Sequence, residues 1–172
     1  MSNNSALKPK IWVGCLAAYN QGDLHGKWID ANQEPEELLE AIKVMLEESP
    51  APGAEEWGIF DHECFGGIKV GEWESLETIS KWASGIAEHG LPYALWVVHR
   101  DEDEHDPDCF TDHYFGHYES MADFGEEEYR QRGTVPEALE DFVNWERYAE
   151  NICNGSFYGV KVVGDGVHIF TR

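Results

Sequence analysis

Carboxylates are the side chains best placed to do chemistry in this sequence. The 172-residue chain holds 34 Asp and Glu against 12 Lys and Arg, which gives a formal net charge of −22 at pH 7. Carboxylates can act as general acids or bases, bind hard cations, or present a negative surface to a basic partner. A compact state with this charge repels itself, and folding must overcome that cost. The charge is therefore a feature that the function should explain.

The acids are concentrated in two segments. Residues 30–63 contain eleven Asp and Glu with a single basic residue, Lys43, and residues 101–128 contain twelve with no Lys or Arg. Exposed helices usually interleave lysines, because each i,i+4 Glu–Lys pair contributes about 0.2–0.5 kcal/mol. A surface of one sign repels nucleic-acid phosphates and anionic membranes. It favours a basic protein partner, with no direct binding to nucleic acid or membrane.

The density of this charge is comparable to that of duplex DNA. DNA carries one charge per ~1.7 Å of axis, so 22 charges match roughly 37 Å of duplex. A compact chain of this length spans roughly 40 Å. On a helix, Glu36 and Glu40 differ by ~6 Å of axial rise, close to two ~3.4 Å base-pair steps. A groove of Lys and Arg built for DNA would meet a similar potential.

Hydrophobic periodicity predicts an α+β chain with short antiparallel sheets and a C-terminal β-hairpin. Helices are expected over residues 35–48, between an N-cap at Ser75 and Gly90 past the end, over 121–130 after a capping pair of Ser120 and Asp123, and over 136–142 and 145–152. Strands are expected over 10–17, 24–30, 56–62, 157–163 and 167–171. The first two strands should form a hairpin that turns at residues 20–22, and residues 92–99 fit either type. Glycine-rich and acidic breaks predict domains over 1–66, 67–108 and 109–172.

The cysteines and the N-terminus favour the cytoplasm. Cys15, Cys64, Cys109 and Cys153 are widely spaced and form no C-x-x-C pair, so free thiols are expected. The N-terminus has no apolar core typical of a signal peptide, and no apolar run approaches the ~18 residues of a membrane span.

Enzymatic motifs are absent from the sequence, and no cofactor is expected. It contains no G-x-S-x-G, H-E-x-x-H or P-loop. An acidic metal-binding or Ca²⁺-binding protein remains an alternative. A loop starting at Asp101 would place Asp106 and Asp112 where an EF-hand needs Gly and Glu, so that pattern fails.

Four His and Cys residues that recur every four positions are candidates for a transition-metal site. On a helix this spacing would align all four side chains, although Pro107 and Gly116 weaken a continuous helix. The candidates are His105, Cys109, His113 and His117.

Four segments resemble motifs of the ArdA-type antirestriction family. The opening hairpin motif resembles residues 16–30, LAAYNQGDLHGKWID, and the second motif resembles residues 52–67, with His62 in place of the usual Tyr. The antirestriction motif, a Tyr-x-Gly-x-Tyr-x-Ser run before an acidic helix, resembles residues 110–128. The following helices are similar to residues 135–152, with Asn144-Trp145 for the commoner Asp-Tyr.

The resemblance covers nearly the whole chain in order, and it implies a fold and a function. It implies an elongated molecule of three small domains that forms a homodimer through the C-terminal domain. It further implies a DNA mimic, encoded on mobile genetic elements, that acts in the bacterial cytoplasm. Such a mimic occupies the DNA groove of type I restriction–modification enzymes and inhibits restriction, and often modification less strongly.

The candidate site residues follow from the resemblance and from the charge pattern. Acids in the matched motifs are Asp30, Glu55, Glu56, Asp61, Glu63, Asp112, Glu119, Asp123, Glu126, Glu127 and Glu128. Acids added from the charge of the first long helix are Glu36, Glu37, Glu40, Glu47 and Glu48. Candidates for the dimer contact are Tyr114, Phe115, Tyr118 and Phe124.

Overall fold

The computed structural model describes residues 7–100 and 106–172. It confirms the α+β class, and the chain divides into two compact units, Met1–Asp108 and Cys109–Arg172. The three-domain division, with boundaries after residues 66 and 108, stays a prediction. Within the described ranges, every helix is too short or too polar to cross a membrane.

Over residues 7–100 of the first unit, all of which the structure describes, the chain forms three strands and four helices. They are β1 (Lys10–Cys15), α1 (Leu16–Asn20), β2 (Gly26–Asp30), α2 (Pro35–Glu47), β3 (Trp57–Glu63), α3 (Leu76–His89) and α4 (Leu91–His99). The strands form an antiparallel sheet in the order β2-β1-β3. One face of this sheet buries Ile11, Val13 and Ile29, and α2 packs against β1 and β2.

The connection between β1 and β2 differs from the predicted turn. The strand predicted over residues 10–17 ends at Cys15, and Leu16 and Ala17 belong to α1. The prediction was wrong here because the apolar pattern of a strand continues into a helix that buries Ala18. Gly22 closes this helix with φ 91° and donates its N–H to the Tyr19 carbonyl.

The predicted long helices of this unit are confirmed. Pro35 occupies the first turn of α2, and the Ser75 hydroxyl caps α3 by accepting from the Thr78 N–H at 3.1 Å. The segment whose type was left open is the helix α4, which packs on α3. Gly85 allows this packing, because a Cβ there would lie 2.4 Å from the Tyr93 ring.

After α5, the second unit contains three strands, two α-helices and one 3-10 helix. The elements are α5 (Pro107–His113), which begins before the division between units, β4 (Tyr114–Tyr118), α6 (Met121–Arg132), a 3-10 helix (Glu137–Phe142), α7 (Trp145–Cys153), β5 (Phe157–Val162) and β6 (Gly166–Thr171). The strands form an antiparallel sheet in the order β4-β6-β5, which confirms the C-terminal hairpin. One core joins α6, α7 and the sheet through Met121, Phe124, Ala149 and Ile169.

Candidate partner-binding surface

The acids of the first unit are exposed and largely free of ion pairs. We call them the N-terminal acidic set: Asp30, Glu36, Glu37, Glu40, Glu47, Glu48, Glu55, Glu56, Asp61 and Glu63, every one of which is exposed. Among the described residues, the one ion pair that involves this set joins Glu40 to Lys43. These carboxylates therefore remain available to a partner.

Helix α2 sets the geometry of half of this set. Its buried face carries Leu38, Ile42 and Met45. At 100° per residue, Glu36, Glu40 and Glu47 fall within about 40° of one another on the opposite face. The Glu37 carboxylate accepts a hydrogen bond from the Glu34 N–H at 3.2 Å, so it also closes the capping box of the helix.

A lysine lies within this acidic strip of α2. Lys43 falls about 20° from Glu36 on the helical wheel. Its Nζ lies 3.7 Å from Glu40 Oε2, and the two side chains are 58% and 71% exposed. An exposed pair of this kind contributes little to stability, so Lys43 mainly reduces the negative potential of the strip.

The open end of the sheet brings two acids beside one lysine. Lys10 in the central strand is paired with Asp30 on β2 and with Glu63 on β3. The Asp30 carboxylate also accepts from the Asn32 N–H at 3.0 Å, which fixes the chain as it leaves β2. The three-stranded register thus places two members of the set on either side of a single cation.

The remaining acids of the set border two open cavities that share Leu16. The first has a volume of about 510 Å³ and is lined by Glu55, Glu56, Glu74, Trp57 and Trp73, among others. The second has about 560 Å³ and is lined by Asp61, Glu72, Tyr19 and Phe60, among others. Carboxylates beside aromatic rings suit Arg side chains, which can pair with the acid and stack on the ring.

The acids of the second unit are partly neutralised. We call Asp112, Glu119, Asp123, Glu126, Glu127 and Glu128 the C-terminal acidic set. Arg130 contacts Glu126 at 2.8 Å and Glu140 at 3.4 Å, and Arg132 pairs with Glu128. The Ser120 hydroxyl donates to the Asp123 carboxylate and accepts from the Asp123 N–H, which confirms the predicted cap.

Glu128 differs from every other candidate acid. Its side chain is buried, with the residue only 3% exposed, whereas Asp112, Glu119, Asp123 and Glu127 are exposed. Within the described part of the chain its Oε2 accepts no hydrogen bond, so Arg132 is the partner that compensates its charge. Burial removes this carboxylate from the surface that a partner could contact.

The candidates for the dimer contact differ in how far the fold exposes them. Phe124 is fully buried in the core of the second unit, so in this fold it cannot contact another chain. Tyr118 packs partly against that core, and burial, with the charges of Glu127 and Glu128, raises the pKa of its hydroxyl. Burial raises the pKa of Tyr114 to about 12. Phe115 is 38% exposed and is the candidate most accessible to a partner.

The four residues spaced for a metal site do not share one helix. Cys109 and His113 lie on α5, but His117 lies on β4, and His105 lies outside the described residues. The chain changes from helix to strand at Tyr114, so beyond that residue a spacing of four no longer aligns side chains on one helix face.

Arg130 and Arg132 were not predicted from the sequence as partners of the acids. They lie just past the acidic run of residues 101–128, and they reach back one turn to Glu126 and Glu128. The i,i+4 spacing of Glu126 with Arg130 and of Glu128 with Arg132 was the signal that could have found both pairs.

Comparison with known proteins agrees with the resemblance in the sequence. Residues 11–164 match the antirestriction protein (ArdA) family. The chain belongs to this family. The matched range contains both acidic sets, and the family is one of antirestriction proteins. The chain has no significant match among curated proteins.

Proposed function

We propose that this ArdA protein competes with duplex DNA for the DNA-binding groove of a type I restriction–modification enzyme. It would thereby inhibit restriction, and modification less strongly, in the bacterial cytoplasm. The observation that carries the proposal is the exposure of all ten carboxylates of the N-terminal acidic set, with one ion pair among them in the described residues. The family assignment supports antirestriction as the outcome of this binding.

The arrangement of α2 supports mimicry of a phosphate backbone. Glu36, Glu40 and Glu47 form a strip in which successive carboxylates are separated by about 6 and 10 Å of axial rise. A DNA groove offers Lys and Arg at distances suited to phosphates, and flexible Glu side chains can adapt to them. The acids beside Trp57 and Trp73 add positions where an Arg of the enzyme could stack as well as pair.

The C-terminal acidic set contributes less in this proposal. Glu126 and Glu128 already have Arg partners, and only the remaining four acids are exposed without an ion pair in the described residues. Binding should weaken as salt rises, because exposed charges are screened beyond about 8–10 Å at physiological ionic strength.

A competition assay with matched charge variants tests the proposal. Binding to a purified type I methyltransferase core is measured against labelled duplex DNA. The triple variant E36Q/E40Q/E47Q removes the α2 strip, and D23N/E77Q/E88Q removes three exposed acids that lie outside the predicted set and line neither cavity. Each exposed ion pair contributes about 0.2–1 kcal/mol, so the α2 variant should bind about 3- to 150-fold more weakly.

The control defines what the result means. If the control variant loses as much affinity as the α2 variant, net charge rather than the α2 strip determines binding. If neither variant changes the displacement of DNA, and both remain folded, the hypothesis that these carboxylates compete with DNA for the groove is wrong. A single substitution such as Glu56→Gln that abolished binding would contradict a charge distributed over many groups.

We also propose that two copies associate through the C-terminal unit, as the family resemblance implies. Phe115 is the accessible candidate, and its ring contacts Phe157 at 5.0 Å between centroids. Replacing Phe115 with Ala should raise the dimer dissociation constant measured by sedimentation, whereas Trp73→Ala in the first unit should not. An unchanged constant for Phe115→Ala would remove this residue from the interface.

A further inference from the structure

The second unit brings two histidines and an aspartate together at the end of its sheet. One ligand atom each from His117, Asp165 and His168 lies within 4.8 Å of the other two. His117 is on β4, His168 is paired with it on β6, and Asp165 lies in the turn before β6. Asp165 and His168 were not among the metal ligands predicted from the sequence.

A β-bulge creates this pairing. Tyr114 is paired with Phe170 and Gly116 with Ile169, so Phe115 is an extra residue in β4. Without the extra residue, Gly116 rather than His117 would face His168. Because directly opposed residues share a face of the sheet, the bulge brings the two imidazoles together, with ring centroids 4.8 Å apart.

A glycine provides the space that His117 needs. A Cβ on Gly166 would lie 3.1 Å from His117 Nε2 and 2.3 Å from the Tyr118 carbonyl oxygen. Gly166 also has φ 108°, a conformation that other residues rarely adopt. Any larger residue here would displace β4 and the His117 ring from the hairpin.

His168 is oriented as metal-binding histidines usually are. The residue is 4% exposed, its Nε2 lies 3.0 Å from Asp165 Oδ2, and its Nδ1 lies 3.0 Å from the Tyr114 hydroxyl. The Tyr114 ring stacks on Phe110 with centroids 5.2 Å apart. A fixed partner on the second ring nitrogen sets the tautomer and orients the other nitrogen toward an ion.

From this arrangement we propose that His117, Asp165 and His168 bind one divalent first-row transition-metal ion, with Zn²⁺ as the probe. Imidazole nitrogens with a carboxylate suit such ions. Ligands on one tetrahedral Zn²⁺ lie about 2.0–2.2 Å from it, so two of them are about 3.3–3.6 Å apart. The site therefore requires the three ligand atoms to move closer together, and the side chains of His117 and Asp165, which are 41% and 46% exposed, have room to rotate.

The proposed site has three protein ligands and leaves the fourth position of a tetrahedral ion to water. The ion would tie β4 to the β5–β6 turn. It would replace the hydrogen bond between His168 Nε2 and the Asp165 carboxylate, and the one between His117 Nε2 and the Asp165 backbone carbonyl oxygen. It would also add positive charge to a unit in which 12 Asp and Glu outnumber 5 Lys and Arg.

Calorimetric titration of the full chain with Zn²⁺ tests this site. We expect one Zn²⁺ per chain, and a loss of affinity of about tenfold or more in His117→Gln and in Asp165→Asn. Tyr114→Phe should lose about 10-fold in affinity, as supporting residues of metal sites commonly do. His99→Gln, which changes an exposed histidine in the first unit, is the matched control and should bind as the unaltered chain does.

Two further measurements keep the proposal falsifiable. Circular dichroism before each titration verifies that the variants are folded, and both ligand substitutions are at exposed side chains. Cys109→Ser should leave Zn²⁺ affinity unchanged, and the Co²⁺ complex should show no sulfur-to-metal charge-transfer band. Equal binding by His117→Gln, Asp165→Asn and the unaltered chain would overturn the proposal, as would a loss of binding confined to Cys109→Ser.

Discussion

Helices α2 and α6 are both rich in glutamate, but their carboxylates differ in exposure and in ion pairing. On α2, Glu36, Glu37 and Glu47 are exposed and, within the described residues, form no ion pair. On α6, Glu126 and Glu128 pair with arginines one turn later, and Glu128 is buried. The same residue type therefore presents charge on one helix and contributes to structure on the other.

This difference shows that counting acids overstates the charge a partner can contact. A pair such as Glu126–Arg130 has no net charge, and a distant cation sees mainly a dipole. The free glutamates of α2 give up the i,i+4 pairs that stabilise isolated helices. Its stability must come from burying Leu38, Ile42 and Met45 instead.

The largest effect is expected where a buried carboxylate loses its partner. Arg132→Gln leaves the Glu128 carboxylate, which is 3% exposed, without a compensating cation. Leaving a buried polar group unpaired costs about 1–3 kcal/mol. The free energy of unfolding, measured with urea, should fall by that amount.

Arg147→Gln is the matched control for this change. Arg147 is an exposed arginine of α7 in the same unit, and its backbone N–H rather than its side chain is bonded to Asn144. This variant should stay close to the unaltered chain in stability. Equal stabilities for the two variants would mean that Glu128 does not depend on Arg132.

The sequence predicted the elements that depend on local signals. The caps at Ser75 and Ser120 and the apolar periodicity of α2 are encoded within a few neighbouring residues, and the structure confirms them. The β-bulge at Phe115 could not be predicted, since it depends on how β4 pairs with a strand about fifty residues away. The grouping of His117 with Asp165 and His168 follows from that register.

The candidate site was predictable to a similar degree. Composition and family motifs identified acids that are almost all exposed, because carboxylates are rarely buried without a partner. They did not distinguish Glu128, whose burial is set by the packing of α6 in the second unit. They did not distinguish Phe124 either, which is buried in the core of this unit, because an aromatic ring suits a core as well as an interface.

Removing one cation beside each of α2 and α6 tests which of the two helices contacts the enzyme. Lys43→Gln increases the negative charge of the α2 strip, and Arg130→Gln releases Glu126 and Glu140 on and beside α6. One exposed charge contributes about 0.2–1 kcal/mol. We therefore expect Lys43→Gln to bind the methyltransferase core about 1.4- to 5-fold more tightly in competition with DNA.

The change at Arg130 then shows whether α6 takes part in binding. Tighter binding by Arg130→Gln would mean that Glu126 and Glu140 face the enzyme once their arginine is gone. Unchanged binding by Arg130→Gln together with tighter binding by Lys43→Gln would assign the contact to the first unit. If α2 lies in a basic groove, removing the positive charge of Lys43 must strengthen its attraction to that groove. Weaker binding by a folded Lys43→Gln variant would therefore contradict the proposal that α2 binds there.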